Sequence, residues 1–216
     1  MKSNQILNSV LTVILVLCAI IITVLVVKRE LFNNKYTPKV RTVQNWRTLV
    51  DDGHQIGTSN ASVYIIEFTD YECPYCKILK KNIDSILVKY KDKVALIVYN
   101  FPLEIHSHAF DLALGGECAA RQNKFKSYYD SVFNYSVKFE KLNLSHIAFS
   151  AGITDTASFM NCIESRTTFS IVNNDIEKGK EIDIEGTPTI IINGKLYEGS
   201  LTVKQLENAV IDALNN

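Results

Sequence analysis

The sequence lacks an excess of charge of either sign. Lysine and arginine together number 23, aspartate and glutamate together number 23, and the formal net charge is zero. A nucleic-acid-binding domain usually carries a basic excess, so this balance argues against nucleic acid as a partner. Internal repeats and low-complexity tracts are absent as well. With 47% hydrophobic residues in 216 positions, the chain is expected to form one globular domain of ordinary size.

Charged residues are also missing from Ile6 to Val27, a run long enough to cross a bilayer as a helix. We interpret residues 1–32 as an N-terminal membrane anchor or signal segment. A cleaved signal should be followed by a small-x-small site, whereas Lys28-Arg29-Glu30 follows here. An uncleaved transmembrane anchor is therefore favoured over a cleaved signal, and a buried core helix is the third alternative.

The charges that flank this segment conflict with another feature of the sequence. Basic residues cluster after it and only Lys2 precedes it, so the positive-inside rule would leave the following domain in the cytoplasm. Outside the segment, however, four cysteines remain, which is an even number. In an oxidising compartment, this number favours a structural bridge between Cys118 and Cys162 beside a second pair. Two buried thiols are the alternative. We give the cysteines more weight and expect an exported domain.

The second pair is Cys73-Pro74-Tyr75-Cys76, which follows a predicted strand and opens a predicted helix. The first turn of a helix has free N–H groups and a positive end, and both favour a thiolate at Cys73. Position i+3 brings Cys76 to the same helix face. This spacing predicts a redox-active pair. A zinc site would need a second close cysteine pair, which is missing, and an unreactive structural bridge is the remaining alternative.

The order of predicted elements indicates an α/β fold. Strand 62–69, helix 73–90 and strand 94–99 form a parallel crossover unit. About five helices follow in residues 105–181, and then come a hairpin turning at Asn193-Gly194 and a last amphipathic helix. This is the layout of a thioredoxin-like fold with an inserted helical domain. We expect a linker and lead-in at 33–60, the thioredoxin-like domain at 61–104 and 182–216, and the insert at 105–181.

Four stretches in this order resemble the DsbA-like thiol–disulfide oxidoreductases, in their membrane-tethered or exported branch. The first is Glu67-Phe68-Thr69-Asp70-Tyr71-Glu72, continuing into the cysteine motif. The second is Asn100-Phe101-Pro102-Leu103 with His106 and His108. The others are Glu117-Cys118-Ala119-Ala120 and Gly186-Thr187-Pro188-Thr189. The resemblance covers roughly residues 60–216.

The resemblance implies a role for each matching residue. Cys73 would be the nucleophile, Cys76 the resolving cysteine, and Pro188 a cis-proline that faces the dithiol. The backbone of Thr187 would pair with an extended substrate peptide, beside Pro74 and Tyr75. The dipeptide between the cysteines is Pro-Tyr, and the strongly oxidising DsbA enzymes have Pro-His, so the direction of the reaction stays open.

Glu67 lies at the centre of an apolar strand, where a carboxylate is costly unless it is paired or protonated. We expect a buried acid with a raised pKa that relays protons to Cys76; an edge position reaching solvent is the alternative. Asp70 and Glu72 are expected to be solvated turn residues. His106 and His108 are expected at a helix start rather than on a metal. The aromatic residues Phe125, Tyr128, Tyr129 and Phe133 are expected in the core.

The sequence thus predicts a protein disulfide oxidoreductase that introduces disulfide bonds into exported proteins and needs no bound cofactor. Its partners would be client thiols and a membrane reoxidant of the DsbB or vitamin-K-epoxide-reductase-like type. We expect it at the periplasmic or extracytoplasmic face, anchored in the cytoplasmic membrane. The alternatives are a tethered reductase or isomerase, a thioredoxin-like metal carrier using the cysteines with a histidine, and a structural binding module.

Overall fold

The computed structural model describes residues 2–33, 38–135 and 142–215. The chain comprises two compact units, Met1–Thr37 and Pro38–Asn216. The first contains helix α1 (Lys2–Asn33). Within this helix, Leu11–Lys28 has a mean hydropathy of 3.0 and is long and apolar enough to cross a membrane. A signal sequence has the same properties, so a membrane anchor and a cleaved signal both remain interpretations of this segment.

The second unit is built on a six-stranded mixed sheet with the order β1-β6-β5-β3-β4-β2. Strands β3 and β4 are parallel, and every other neighbouring pair is antiparallel. The strands are β1 (Val40–Thr42), β2 (His54–Gly57), β3 (Val63–Thr69), β4 (Val94–Asn100), β5 (Thr189–Ile192) and β6 (Lys195–Glu198).

The central strands are apolar along their whole length because both faces of the sheet are covered. Ile65 of β3 packs in one core cluster with helices α3 (Pro74–Lys89) and α9 (Val203–Leu214). The next residue, Ile66, packs in a second cluster on the other face, with Leu49 of helix α2 (Thr48–Asp52). This alternation is the two-residue period of a strand.

Five helices lie between β4 and β5, as predicted. They are α4 (Ala109–Ala120), α5 (Phe125–Asn134), α6 (Leu144–Ser150), α7 (Thr156–Glu164) and α8 (Phe169–Glu181). Asp155 caps α7 by accepting a hydrogen bond from the backbone N–H of Ser158 at 2.9 Å. The aromatic residues predicted for the core are buried.

Two strands come from the segment expected to be a linker and lead-in. β1 pairs with β6 and β2 pairs with β4, so residues 40–57 form both edges of the sheet. The same segment forms the short helix α2, in which Leu49 is buried. Residues 34–37 of the expected linker lie outside the described residues.

The hairpin at Asn193-Gly194 is confirmed. Both residues have positive φ, 41° and 91°, a conformation that asparagine and glycine adopt at low cost. The Asn193 side chain also accepts a hydrogen bond from the backbone N–H of Tyr64 at 2.9 Å. The hairpin is thereby fixed to the start of β3, which leads to the dithiol.

Candidate active site

The two cysteines lie where the turn after β3 enters α3. Cys73 is the N-cap residue of α3, Pro74 occupies its first turn, and Cys76 is fully buried in that turn. Proline is accepted at this position because the backbone N–H that it lacks would have no helical partner. Both thiols are unbridged in this structure.

The pKa values of the two thiols are shifted in opposite directions. The hydrogen bond from the Cys76 side chain lowers the pKa of Cys73 to about 5 against the effect of burial, with help from the backbone N–H groups of Cys76 and Tyr75. Burial, followed by the hydrogen bond to Cys73 and the charge of Glu67, raises the pKa of Cys76 well above its ordinary value. Cys73 is thus the better nucleophile and leaving group, and Cys76 holds its proton.

The cis-proline expected from the sequence is present. The Thr187–Pro188 peptide bond is cis, and the carbonyl oxygen of Thr187 lies 3.4 Å from the Sγ atom of Cys73. The loop from Glu185 to Thr189, together with Glu198 and Gly199, lines a cavity of about 200 Å³. Tyr75, between the two cysteines, is 62% exposed, and Cys73 is 4% exposed. The exposed surface at the dithiol is thus provided by the dipeptide between the cysteines.

Glu67 is fully buried on β3, between β4 and β5, so the alternative of a solvent-exposed edge position is wrong. The phenolic O–H of Tyr129 donates a hydrogen bond to its Oε2 atom at 2.7 Å. Burial raises the pKa of Glu67 to about 7, although hydrogen bonding with Tyr129 and Thr69 and the charge of Lys80 oppose the shift. The acid can therefore take up and release a proton near neutral pH.

Asp70 is buried, which corrects the expectation of a solvated turn residue. Its Oδ1 atom accepts from the N–H of Glu72 and its Oδ2 atom from the N–H of Leu103, both at 2.8 Å. The Nδ1 atom of His106 lies 2.8 Å from the same Oδ2 atom. Asp70 therefore links the turn that carries Cys73 to the loop that follows β4. Glu72 also accepts a hydrogen bond, from the backbone N–H of His108.

A second polar cluster, which the sequence did not predict, lies at the end of β4. The Asn100 side-chain amide donates to Glu117 Oε1 at 2.7 Å and to Asp175 Oδ2 at 2.9 Å. His54 lies 2.9 Å from the same Glu117 oxygen and stacks on Phe125 with ring centroids 3.7 Å apart. Burial raises the pKa of Asp175 to about 6. The cluster connects β2, β4, α4 and α8; Asn100 and Glu117 lie in stretches that carry the family resemblance, but nothing in the sequence links them to His54 or Asp175.

The expected bridge between Cys118 and Cys162 is present, with Cα atoms 6.0 Å apart. It joins α4 to α7. In the described part of the chain, no group of three or more His, Cys, Asp and Glu side chains could hold a metal ion.

Comparison with known proteins assigns the second unit to a protein family. A family model described as thioredoxin matches residues 49–213, which is more than half of the chain. The chain is 29% identical over 160 residues to the Na(+)/H(+) antiporter NhaA 1 of Mycolicibacterium gilvum. That match covers 73% of this chain and 26% of the antiporter, so the chain spans about a quarter of the length of such curated relatives.

Solved structures share the fold. A thioredoxin-like oxidoreductase from Silicibacter pomeroyi is 22% identical, with a TM-score of 0.71 over 81% of this chain and 99% of that chain. BdbD from Bacillus subtilis is 22% identical, with a TM-score of 0.68 over 77% and 95%. The thiol-disulfide exchange protein alpha-DsbA2 from Wolbachia pipientis is 20% identical, with a TM-score of 0.67 over 77% and 91%. The expected thioredoxin-like fold with helices inserted between strands is confirmed.

Proposed function

The chain belongs to the thioredoxin family, and from this premise we propose that it introduces disulfide bonds into exported proteins through Cys73 and Cys76. The observation that carries the proposal is the asymmetry of the two thiols. A pKa of about 5 at Cys73 stabilises the reduced protein as a thiolate at neutral pH. Stabilising the reduced form makes the disulfide form a stronger oxidant.

The reaction would use the disulfide form of the pair. A client thiolate attacks the Sγ atom of Cys73, the Cys73–Cys76 bond breaks, and Cys76 leaves and takes up a proton. A second client thiolate then attacks the client sulfur of the mixed disulfide, and Cys73 leaves as a thiolate. The client loses two electrons and the pair gains them. We propose Glu67 as the proton donor to Cys76, because it is buried near that thiol and titrates near pH 7.

The pKa of the Cys73 thiol indicates how strong an oxidant the disulfide form is. The Cys73 pKa of about 5 lies between about 3.5 for DsbA and about 7 for thioredoxin. We infer an oxidant weaker than DsbA and stronger than thioredoxin. Tyr75 replaces a histidine that could have added hydrogen bonding to the thiolate, which agrees with this order.

The location proposed is the extracytoplasmic face of the cytoplasmic membrane. A lasting bridge such as Cys118–Cys162 is typical of an oxidising compartment, and helix α1 offers an apolar segment of membrane-spanning length. The partners proposed are client proteins with free thiols, which would pair with the Thr187 backbone as an added strand, and a membrane reoxidant of the DsbB or vitamin-K-epoxide-reductase-like type.

The test is the equilibrium reduction potential of the full chain in detergent, measured against glutathione, with the Cys118–Cys162 bridge followed separately by thiol labelling. We expect a value well above about −270 mV, in the direction of about −120 mV. The variant Cys73→Ala serves as the control without a redox couple. A potential at or below the thioredoxin value would contradict the proposal and favour a tethered reductase.

A further inference from the structure

We propose that Tyr129 is a positioning residue for proton transfer to Cys76. Its hydroxyl holds Oε2 of Glu67, so that the transferable proton resides on Oε1. The inference rests on the proposed function, in which Glu67 supplies that proton. It adds a residue of the helical insert to the machinery of the thioredoxin-like sheet.

The hydrogen bonds around Glu67 distinguish its two oxygens. Oε2 accepts the Tyr129 hydroxyl at 2.7 Å, and Oε1 has no hydrogen-bond partner among the described residues. Glu67 is fully buried and Tyr129 is 1% exposed. A carboxyl proton on Oε2 would compete with the phenolic hydrogen, which has no other acceptor in the described part of the chain. On Oε1 the proton leaves the strong Tyr129 hydrogen bond to Oε2 in place, and the nearby Thr69 side chain, which also lowers the Glu67 pKa by hydrogen bonding, belongs to the same carboxyl environment. The proton is therefore accommodated on Oε1.

The tyrosine ring is fixed from several sides. It packs edge-on against Phe133, with centroids 5.0 Å apart, and against Tyr71 at 6.2 Å. The Nζ atom of Lys80 on α3 lies 5.8 Å from the centre of the ring. A hydroxyl mounted on such a ring keeps one direction, so the carboxyl group keeps one orientation as well.

The groups whose charge acts on this pair come from helix α3 and from the turn after β3. Lys80 and Asp84 of α3 act on Glu67, lowering and raising its pKa respectively. Burial, followed by the charge and hydrogen bond of Glu67 and then by the charges of Tyr71 from the turn after β3 and Cys76 from α3, keeps the pKa of the Tyr129 phenol well above its ordinary value. Tyr129 thus remains a donor across the working pH range.

The proton moves from Glu67 to Cys76 as the disulfide bond of the active site breaks. When a client thiolate forms its bond to Cys73, the Cys76 sulfur leaves with the electron pair of the broken disulfide bond and takes the proton from Oε1. Glu67 becomes a carboxylate, and the Tyr129 O–H stabilises the new charge. During reoxidation the carboxylate takes the proton back from Cys76. Tyr129 therefore stabilises the carboxylate that Glu67 becomes once it has donated its proton.

The test compares Tyr129→Phe with Tyr128→Phe in the full chain. Tyr128 is an equally buried neighbour, but its hydroxyl donates to the carbonyl of Leu112 at 3.0 Å. Infrared titration of the Glu67 carboxyl band, identified by its loss in Glu67→Gln, reports the acid directly. We expect Y129F to raise the Glu67 pKa by about one unit. The same variant should slow reduction of the disulfide form by a small thiol roughly tenfold near neutral pH. The absorbance of the Cys73 thiolate should stay unchanged. Y128F should leave the carboxyl titration at its wild-type position.

A carboxyl titration that is the same in Y129F and wild type would overturn the inference. That readout does not depend on disulfide donation, so a wild-type potential at the thioredoxin level would remove the proposed function without deciding the role of Tyr129. If Y129F does not fold, site-specific fluorotyrosine at position 129 replaces it. A more acidic phenol is a stronger donor, so the Glu67 pKa should then fall, and an unchanged value would equally contradict the inference.

Discussion

At the scale of single residues, His106 affects the nucleophile from outside the cysteine motif. Burial lowers the pKa of His106, but the hydrogen bond and charge of Asp70 and the charges of Cys73 and Glu72 outweigh it, so the pKa is raised. Coupling between two sites is reciprocal. If the Cys73 thiolate favours the imidazolium, the imidazolium also favours the thiolate.

We therefore expect His106→Gln to raise the pKa of Cys73. The rise should be modest, about half a unit, because the ring is partly exposed and its charge is screened by solvent and salt. The absorbance of the thiolate as a function of pH measures the change. His108→Gln is the matched control, since the His108 side chain makes no hydrogen bond in the described chain. An equal shift in both variants would count against a specific role for His106.

Some residues of this site can be placed from the sequence, and others cannot. Cys73 and Cys76 were placed correctly because their signal is a short motif whose geometry depends on adjacent residues, whereas the cis form of Pro188 was expected from the family resemblance alone. Asp70 was misplaced in solvent because its partners, Leu103 and His106, lie 33 and 36 positions further along the chain. Only the fold brings that loop beside the turn, so no local pattern indicates the burial of this carboxylate.

At the scale of elements, helix α8 approaches the sheet through a glycine. A Cβ atom at Gly179 would lie 2.6 Å from the ring of Phe101 and 3.2 Å from that of Phe68. Both rings are buried in the core beneath the helix. Van der Waals contact between helix and sheet at this point therefore depends on the absence of a side chain.

We expect Gly179→Ala to lower the free energy of unfolding by about 1–3 kcal/mol, because an added methyl group in a packed core forces the neighbouring rings to move. Chemical denaturation measures the loss. At Gly186 a Cβ would meet nothing within 4 Å, so Gly186→Ala is the control and should change stability little. Similar losses in the two variants would indicate a general effect of glycine replacement.

Helices and strands with long sequence patterns were predicted, and the shortest strands were not. The five helices of the insert and the central strands were predicted because each carries a long apolar pattern or a cap. Strands β1 and β2 were not, since they have only three and four residues. Their pairing with β6 and β4 is tertiary, and short polar segments become strands only where a sheet edge accepts them.

At the scale of the whole molecule, the buried acids make stability depend on pH. The pKa of Glu67 is raised to about 7 and that of Asp175 to about 6. Between the ordinary carboxyl pKa and these values, the folded protein binds protons that the unfolded chain releases. Stability therefore falls as pH rises through this window. The raised pKa of His106 acts in the same direction.

We expect the oxidised protein to lose stability between pH 5 and pH 7, with Glu67 contributing up to about 3 kcal/mol of the loss. The oxidised form is chosen because the thiolate of Cys73, which acts in the opposite direction, is then absent. Denaturant unfolding at several pH values should show a flatter profile for Glu67→Gln. The exposed carboxyl of Glu181 provides the control, Glu181→Gln. A wild-type slope in E67Q would contradict the assignment.

The bridge between Cys118 and Cys162 has a consequence for how each copy of the protein is made. Translation yields both cysteines as thiols, and the bond that joins α4 to α7 requires a disulfide donor. Under the proposed function, a mature copy can supply that bond to a newly made one, so the protein is among its own substrates. Maturation would then accelerate as finished copies accumulate, and the first copies would depend on another oxidant.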